Sequence, residues 1–259
     1  MKSYIGIIGA LFTLASIGLG QELPPDLIAI KAAAEAGDPK AQYEYGKAIP
    51  YSRMAEQLDW YLKSARAGYA PAQDALGNHF AAATGDKQKR LANLRESVRW
   101  SSLAAYQGVT ASQARIAGFY HDGEVLPKDL VAAYVWCRIA KSSSPLQIGN
   151  TGELDRLITE MSSDEIAEAE NRLKSFRLEP YSGLNPVEAD MLFAEVKISA
   201  TYVINGVRQI VLNNVRFNEG ETKDLIIAGE PIRLACLSIQ EKSTLVGLAG
   251  TPYTRWLKR

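Results

Sequence analysis

Three segments of this chain repeat one short pattern, and this repetition constrains the fold more than any other feature. The segments begin at Gly37, Gly68 and Gly108, and each has a small residue at the fourth following position, Gln at the fifth and Gly or Ala at the ninth. A period of roughly 30 to 40 residues is typical of stacked helix pairs, in which each unit contacts only its neighbours. The sequence therefore predicts a helical array rather than one globular core.

Large aromatic residues support the same register. Trp60 and Trp100 each stand eight residues before a leading glycine, and Trp136 begins a further copy. The small residues that follow these tryptophans by about one helical turn are Ala65, Ala104 and Ala140. One large and one small residue a turn apart favour close packing of two helices. Each unit is therefore predicted to be a pair of antiparallel helices.

These positions resemble the Sel-like repeat, a tetratricopeptide-related α/α solenoid. The best copy, Ala104 to Ala140, carries the family-pattern residues Gly108, Ile116, Tyr120, Gly123, Val125, Asp129, Ala133 and Trp136. The first copy departs from the pattern, because Ile49-Pro50-Tyr51 stands where the family has a Gly-x-Gly-Val segment. The resemblance covers about Leu27 to Phe176. It implies about three helix-pair repeats and the role of an adaptor rather than an enzyme.

The end of the array is also marked in the sequence. Ser162 is a helix N-cap residue, and the acidic residues Asp164 and Glu165 follow it in the first turn. An apolar stripe then continues to Phe176. A closing helix that covers the exposed apolar end is common in such arrays. We therefore predict a capping helix and an array that ends near Arg177.

The first twenty residues have the pattern of a secretory signal peptide. Lys2 supplies a positive charge, Ile5–Leu19 is largely apolar, and small residues around Gly18 allow cleavage after Gly20. The apolar run is shorter than the roughly 20 residues of a membrane span. The sequence thus predicts a periplasmic or secreted protein without stable membrane insertion once the leader is removed. An uncleaved signal anchor is the alternative.

Beyond the array the apolar residues alternate with a period of two, which is typical of β-strands. Residues 178–187 form a linker by composition. Val196–Ile204 alternates, Asn205-Gly206 is a strong hairpin signal, and Val207–Phe217 returns with an interruption at Asn213-Asn214. The further predicted strands are Leu225–Ala228, Ile232–Ile239 and Thr244–Leu248. About five strands in such a length favour a small antiparallel barrel or sandwich.

The predicted fold class is therefore α+β, with an N-terminal α/α superhelical solenoid and a small all-β domain. The expected boundaries are a signal peptide at 1–20, the solenoid at 21–177, the linker at 178–187 and the β-domain at 188–259.

The charge and motif content exclude several functions. Lys and Arg number 29 and so do Asp and Glu, so the chain lacks the basic surface that nucleic acid requires. Its two histidines, His79 and His121, and its two cysteines have no metal-ligand spacing, and no phosphate-binding glycine loop or nucleophile elbow is present. We predict no catalytic, metal or cofactor site. The histidines are expected to be exposed at helix ends, with a pH-sensitive role as the alternative.

Candidate binding residues come from the repeat positions themselves. Gln42, Gln73 and Gln113 recur at one position, and a ladder of amides there could bond the backbone of a bound peptide. The alternative is that this glutamine is a structural part of the repeat. The next positions include Tyr43 and Asp74 and differ between copies, which is where a partner-specific surface would lie. The predicted peptide-groove residues are thus Gln42, Tyr43, Gln73, Asp74 and Gln113.

The two cysteines suggest a link between the domains. Cys137 lies in the last repeat and Cys236 in the β-domain. In an oxidising compartment they could form one disulfide. The alternative is two independent buried thiols that pack as small apolar groups.

Three functions are consistent with these features. The first is an exported adaptor that binds a protein or peptide through the repeat groove. The second is a structural component of an envelope secretion or pilus assembly that acts through the β-domain. The third, a cell-wall-related or β-lactam-binding role, is implied by the cysteine-rich secreted relatives of the family. Those relatives carry a cysteine pair in each repeat, whereas this chain has two cysteines in total.

Overall fold

The computed structural model of the chain describes residues 24–143, 151–178, 180, 184–204, 207–227, 229–240 and 242–258. These residues form two compact units. The first contains the described residues up to His121 and those from Leu130 to Pro180, and the second contains Asp122–Asp129 and the described residues from Leu184 onward. Helices make up the first unit, and antiparallel strands dominate the second, so the α+β class is confirmed.

The described part of the first unit is a series of helices. They are α1 (Pro25–Glu35), α2 (Pro39–Ala48), α3 (Met54–Arg66), α4 (Ala70–Ala82), α5 (Lys87–Tyr106), α6 (Thr110–Asp122), α7 (Leu130–Ser143), α8 (Thr151–Glu160) and α9 (Ser163–Ser175), with a 3₁₀ turn at Tyr51–Arg53. From α1 to α5 each helix packs against the next one along the chain. This sequential packing is the α/α array that the repeats predict.

The leading glycine of each repeat ends a helix. Gly37, Gly68 and Gly108 have φ values of 97°, 89° and 88°, in the left-handed region that glycine adopts without strain. In all three copies the next residue donates its N–H to a carbonyl five residues earlier, as Val109 does to Ala104 at 3.0 Å. This bond is typical of a glycine-terminated helix. The glycine therefore fixes the tight turn between the two helices of each repeat.

The small residue at the ninth repeat position lets neighbouring helices approach closely. A Cβ atom on Gly77 of α4 would lie 2.3 Å from Ser101 Oγ and 3.2 Å from Ser101 N of α5. Ser97 Oγ, also on α5, donates to the Gly77 carbonyl at 2.7 Å. On α2, a Cβ atom on Gly46 would lie 2.9 Å from the ring of Tyr61. Glycine at this position thus sets the spacing of the array.

Aromatic side chains fill the layers between helices, as the sequence predicts. Trp60 packs edge-on against Tyr45 with ring centroids 5.2 Å apart. Trp136 meets Tyr106 and Phe176 in the same edge-on way, at 5.1 Å in both cases. Phe176 directly follows α9, so this last helix covers the end of the array and the predicted capping helix is confirmed.

The second unit begins with a helix and continues as two antiparallel sheets. Its elements are α10 (Pro186–Ala194), β1 (Ile198–Ile204), β2 (Val207–Leu212), β3 (Val215–Asn218), β4 (Thr222–Ile227), β5 (Glu230–Ile239), β6 (Ser243–Leu248) and β7 (Thr254–Lys258). The described strands form one sheet in the order β1-β2-β3 and another in the order β4-β5-β6-β7. The sheets do not close into a barrel. Of the two predicted forms, a barrel or a sandwich, the arrangement in two sheets is therefore the one that remains.

Helix α10 is an element that the sequence prediction missed, because its residues were divided between a linker and an all-β domain. Asn185 caps it by accepting a hydrogen bond from Glu188 N at 3.0 Å, and Asn185 N donates back to Glu188 Oε2 at 3.2 Å. This capping box replaces the missing helical partners of the first turn. The buried residues that α10 and the strands share in one core include Leu192, Phe193, Ile210, Phe217, Leu234, Cys236 and Val246.

The strand count also differs from the prediction. The predicted strand Val207–Phe217 is two strands, because Asn213 and Asn214 adopt φ values of 44° and 68° and reverse the chain between β2 and β3. Thr254–Lys258 forms the unpredicted β7, whose short charged sequence shows little apolar alternation. The predicted turn Asn205-Gly206 lies outside the described residues, but the strands on either side of it pair in antiparallel register.

Candidate binding groove of the helical unit

The three repeated glutamines are interior side chains that join the two helices of their own repeat. Gln42, Gln73 and Gln113 are 8%, 3% and 0% exposed. Each donates Nε2 to the carbonyl eight residues earlier, at 3.2, 3.1 and 3.1 Å. The acceptors are Ala34, Ala65 and Ala105. The predicted ladder of peptide-binding amides is therefore corrected, because the fold of the repeat itself uses these donors.

The variable position after each glutamine contacts the next repeat. The ring of Tyr43 on α2 lies 5.6 Å from that of Tyr69, which caps α4. Asp74 on α4 accepts a hydrogen bond from Ser112 Oγ at 2.6 Å and pairs with Arg115 Nη1 at 3.1 Å, both on α6. Variation at this position therefore adjusts the packing between successive repeats. Tyr43 and Asp74 are both partly exposed, so their role in contacting a partner stays a prediction.

The two cysteines are free, buried thiols, which agrees with the alternative of two independent apolar side chains. Cys137 of α7 and Cys236 of β5 are 1% and 0% exposed, and both are free. Cys236 belongs to the core of the second unit. Burial raises the pKa of each thiol to about 11, and nearby glutamates add to the effect. Each side chain packs within its own unit as a small apolar group.

We expect neither thiol to react with a disulfide reagent in the native chain, and both to react after unfolding. The thiolate is the reactive form, and a buried thiol with a raised pKa is almost entirely protonated at about pH 8. The measurement is a spectrophotometric thiol count with and without guanidinium, in the absence of reductant. A count of zero after unfolding would show that the cysteines are bridged.

A groove of about 670 Å³ lies where α3, α4 and α5 meet beside the Tyr51–Arg53 turn. Its aromatic lining residues are Tyr51, Tyr61 and Phe80, and Met54 and Leu58 add apolar surface. Tyr51 is 79% exposed, which makes it the most exposed of the large apolar side chains in the described part of the chain. A large ring held open to solvent is a ready contact for a binding partner.

Two amide side chains face this groove from neighbouring helices. Asn78 on α4 and Asn93 on α5 both line it, and neither side chain has a hydrogen-bond partner among the described residues. A third lining amide, Gln57, is already used, because it donates to the carbonyls of Gly46 and Ile49 at 3.1 and 3.2 Å. An asparagine can both donate and accept, as a peptide bond does. Asn78 and Asn93 can therefore bond a peptide backbone.

The groove is close to electrically neutral. Lys89 is the single Lys, Arg, Asp or Glu among the lining residues. Burial raises the pKa of Tyr61 to about 12, with smaller contributions from Tyr43 and Glu44, so its hydroxyl stays protonated at physiological pH. The lining therefore combines apolar surface with neutral hydrogen-bonding groups.

A second groove, of about 860 Å³, lies among α7, α8 and α9, but three of its polar side chains bond one another. Tyr134 OH donates to Glu170 Oε1 at 2.6 Å, and Arg138 donates to Tyr134 OH at 2.8 Å and pairs with Glu170. The hydrogen bond from Tyr134, followed by the charge of Arg138, lowers the pKa of the Glu170 carboxyl. These partners leave fewer polar groups for a ligand, so the smaller groove is the better candidate.

The histidines differ in their surroundings. His79 lines the α3–α4–α5 groove, with its ring 5.4 Å from that of Phe80. The side chain of His121 is only 12% exposed, because Glu160 Oε2 of α8 lies 3.2 Å from Nε2 and Arg156 lies 3.0 Å from Nδ1. The prediction of an exposed helix-end histidine is therefore corrected for His121, which links the end of α6 to α8.

Two features are absent from the described residues. No group of three or more His, Cys, Asp or Glu side chains in this part of the chain could hold a metal ion. None of its helices is both long enough and apolar enough to cross a membrane.

Sequence reasoning missed the groove residues Tyr51, Asn78 and Asn93. The available signal was the departure of the first copy from the repeat pattern, where Ile49-Pro50-Tyr51 replaces the usual loop. Pro50 precedes the 3₁₀ turn that holds Tyr51 out. An irregular copy in a repeat array marks a place where the packing constraint is relaxed and a surface is formed.

The fold and the groove together define a helical-repeat protein with an open groove that carries little charge. A comparison with solved structures finds similarity to proteins that are described as carrying this repeat. A Sel1 repeat protein from Oxalobacter formigenes is 25% identical, covers 59% of this chain and all of its own, and has a TM-score of 0.41. A protective antigen of uropathogenic Escherichia coli with an SLR fold is 17% identical and has a TM-score of 0.29.

The antigen covers 78% of this chain, which in turn spans 58% of the antigen. No protein-family model matches the chain, and no curated protein does. Both TM-scores are below 0.5, so the description of the array depends on the repeated contacts of this chain itself.

Proposed function

We propose that this chain is a non-enzymatic scaffold that binds an extended segment of a protein partner in the α3–α4–α5 groove. The observation that carries the proposal is the lining of that groove, which combines the exposed ring of Tyr51 with the amides of Asn78 and Asn93. Helix-pair arrays use extended surfaces of this kind to bind proteins.

The chemistry of the lining favours a peptide with an apolar side chain. Met54, Leu58 and Phe80 offer apolar surface to that side chain, and Tyr51 can close over it. The two asparagines can pair with the donor and the acceptor of one peptide bond. With Lys89 as the single Lys, Arg, Asp or Glu in the lining, the bound segment should be neutral or acidic rather than basic.

We also propose that the mature protein acts outside the cytoplasm after removal of residues 1–20. The leader pattern of Lys2 and Ile5–Leu19 supports this proposal. These residues lie outside the part of the chain that the structure describes.

The double substitution Tyr51→Ala and Asn93→Ala should weaken peptide binding by about 30-fold or more, which corresponds to the loss of a binding hot spot of about 2 kcal/mol. Peptides would be selected from a displayed random library with the mature chain, and their affinities measured by isothermal titration calorimetry. Both side chains are at least partly exposed, so the fold should be kept.

The matched control is Ile28→Ala, which removes a side chain of α1 that is 53% exposed and far along the chain from the groove. Its affinity for the same peptides should equal that of the unchanged chain. Equal binding by the double variant would show that the groove is not the site. Failure to select any peptide would contradict the scaffold proposal itself.

A further inference from the structure

Strand β1 is an edge of the three-stranded sheet and differs from the other sheet edges in having no charged side chain. The remaining edges of the described sheets are β3, β4 and β7. Their charged residues are Arg216 in β3, Lys223 and Asp224 in β4, and Arg255 and Lys258 in β7. Charge on an edge strand, a proline or a very short strand normally prevents unwanted pairing. β1 is seven residues long and has no proline, and its one irregularity of register lies at its beginning, between Ile198 and Ala200, so the stretch from Ala200 to Ile204 has none of these protections.

The unprotected edge is also apolar and exposed. Tyr202, Val203 and Ile204 are 45%, 69% and 43% exposed, and Val207 at the start of β2 is 53% exposed. In an antiparallel pair the backbone hydrogen bonds alternate, so every second residue of β1 directs its N–H and C=O away from β2. β1 therefore offers both unpaired backbone groups and apolar side chains to another strand.

The side chains of β1 are suited to pairing with their own copy. Register with β2 shifts between Ile198 and Ala200 and is regular from there to Ile204. An antiparallel pairing centred on Tyr202 would place Ala200 opposite Ile204 and Thr201 opposite Val203. The two residues of each pair lie on the same face of the sheet. Ala200 is small and Ile204 is large, whereas Thr201 and Val203 have similar shapes. No like charges meet in this register.

We propose that two copies of this chain associate through β1, in antiparallel register about a twofold axis at Tyr202, so that two three-stranded sheets form one sheet. A second copy fits this edge because an uncharged strand meets no repulsion from itself. Self-pairing of β7, by contrast, would bring Arg255 and Lys258 against the same positive residues. Pairing of a short strand buries less area than a standard interface, so the dimer should form at the higher concentrations only.

The first test measures the mass of the mature chain by sedimentation velocity over a roughly hundred-fold concentration series. The unchanged chain should move from monomer to dimer as concentration rises. Val203→Lys, which adds the charge that other edges carry, should remain monomeric. The matched control Ile226→Lys alters an equally exposed residue of β4, at 67%, and should still form the dimer. A chain that is monomeric throughout, or a Val203→Lys variant that dimerises normally, would overturn the proposal.

The second test checks the register and does not depend on the stability of the lysine variant. Tyr202→Cys should form a disulfide-linked dimer on mild oxidation, because the two introduced thiols would face each other across the axis. Val207→Cys, which is equally exposed but lies on β2, should not. The native cysteines are buried and should not interfere. Equal crosslinking of the two variants would overturn the proposed register and, with it, the twofold pairing.

Discussion

Replacement of Gly77 by alanine should lower the free energy of unfolding of the helical unit by about 3 kcal/mol. The new Cβ atom would lie 2.3 Å from Ser101 Oγ and 3.1 Å from Arg115 Nη1. Ser101 Oγ itself accepts a hydrogen bond from Arg115 at 2.9 Å, and Arg115 pairs with Asp74. The hydroxyl therefore cannot move without disturbing the contact between two repeats. The measurement is guanidinium unfolding followed by far-ultraviolet circular dichroism.

Two other glycines provide matched controls for this prediction. Gly118 lies inside α6, and a Cβ atom there would meet no atom within 4 Å, so Gly118→Ala should stabilise the helix by about 0.5–1 kcal/mol. Gly46→Ala should lie between the two, because the nearest atoms belong to the Tyr61 ring, which can shift. If Gly77→Ala lowered the free energy of unfolding no more than Gly46→Ala, the close approach of α4 and α5 would not be the reason that glycine is needed at position 77.

The repeat register could be predicted from sequence because its signals are local. Gly37, Gly68 and Gly108 end helices through contacts that span five residues, and that geometry depends on the glycine alone. The positions of the tryptophans likewise indicate which side of each helix packs against its neighbour. Such features depend on residues that are close together in the sequence. They can therefore be predicted without knowing which residues are neighbours in the fold.

The binding residues could not be predicted in the same way, because exposure depends on packing between repeats. Gln113 and Tyr51 illustrate the difference. The glutamine recurs and is polar, which suggested a surface, yet it is fully buried. The tyrosine lies in an irregular copy and carries no repeat signal, yet it is mostly exposed. Recurrence in an array reports what every repeat needs to fold, whereas a groove arises where one repeat differs.

Helix α10 shows a second limit of sequence reasoning. Asn185-Pro186 with Glu188 is a helix-start pattern, but the short segment Pro186–Ala194 shows no apolar stripe of helical period. Without periodicity, nine residues do not distinguish a buried helix from a strand. The helix is decided by its burial against the strands, whose residues come later in the chain and are not visible in the local sequence.

Substitution of Gln113 by glutamate should destabilise the helical unit by about 3 kcal/mol at pH 7, and this loss should disappear in acid. Gln113 is 0% exposed and donates Nε2 to the Ala105 carbonyl at 3.1 Å. Its Oε1 accepts no hydrogen bond among the described residues. An ionised carboxylate in this place would face a carbonyl oxygen without a donor, and burial would disfavour its charge.

The direction of the pH effect follows from the raised pKa of the introduced carboxyl in the folded state. Below its unfolded pKa of about 4.3 the group is protonated in both states and can donate to Ala105 O, so stability should be near that of the unchanged chain. As the pH rises from there, the unfolded chain loses the proton first. Stability should then fall by about 1.4 kcal/mol per pH unit until the folded pKa is passed.

Gln113→Met is the matched control for this charge effect. It removes the same hydrogen bond and leaves the Ala105 carbonyl without its partner, at a cost of about 1–3 kcal/mol, but it introduces no titrating group. The stability of this variant relative to the unchanged chain should therefore not depend on pH between about 4 and 8. A flat profile for Gln113→Glu as well would mean that the side chain reaches water. The repeated glutamine would then be a surface amide, available to a peptide after all, and not the internal tie between two helices.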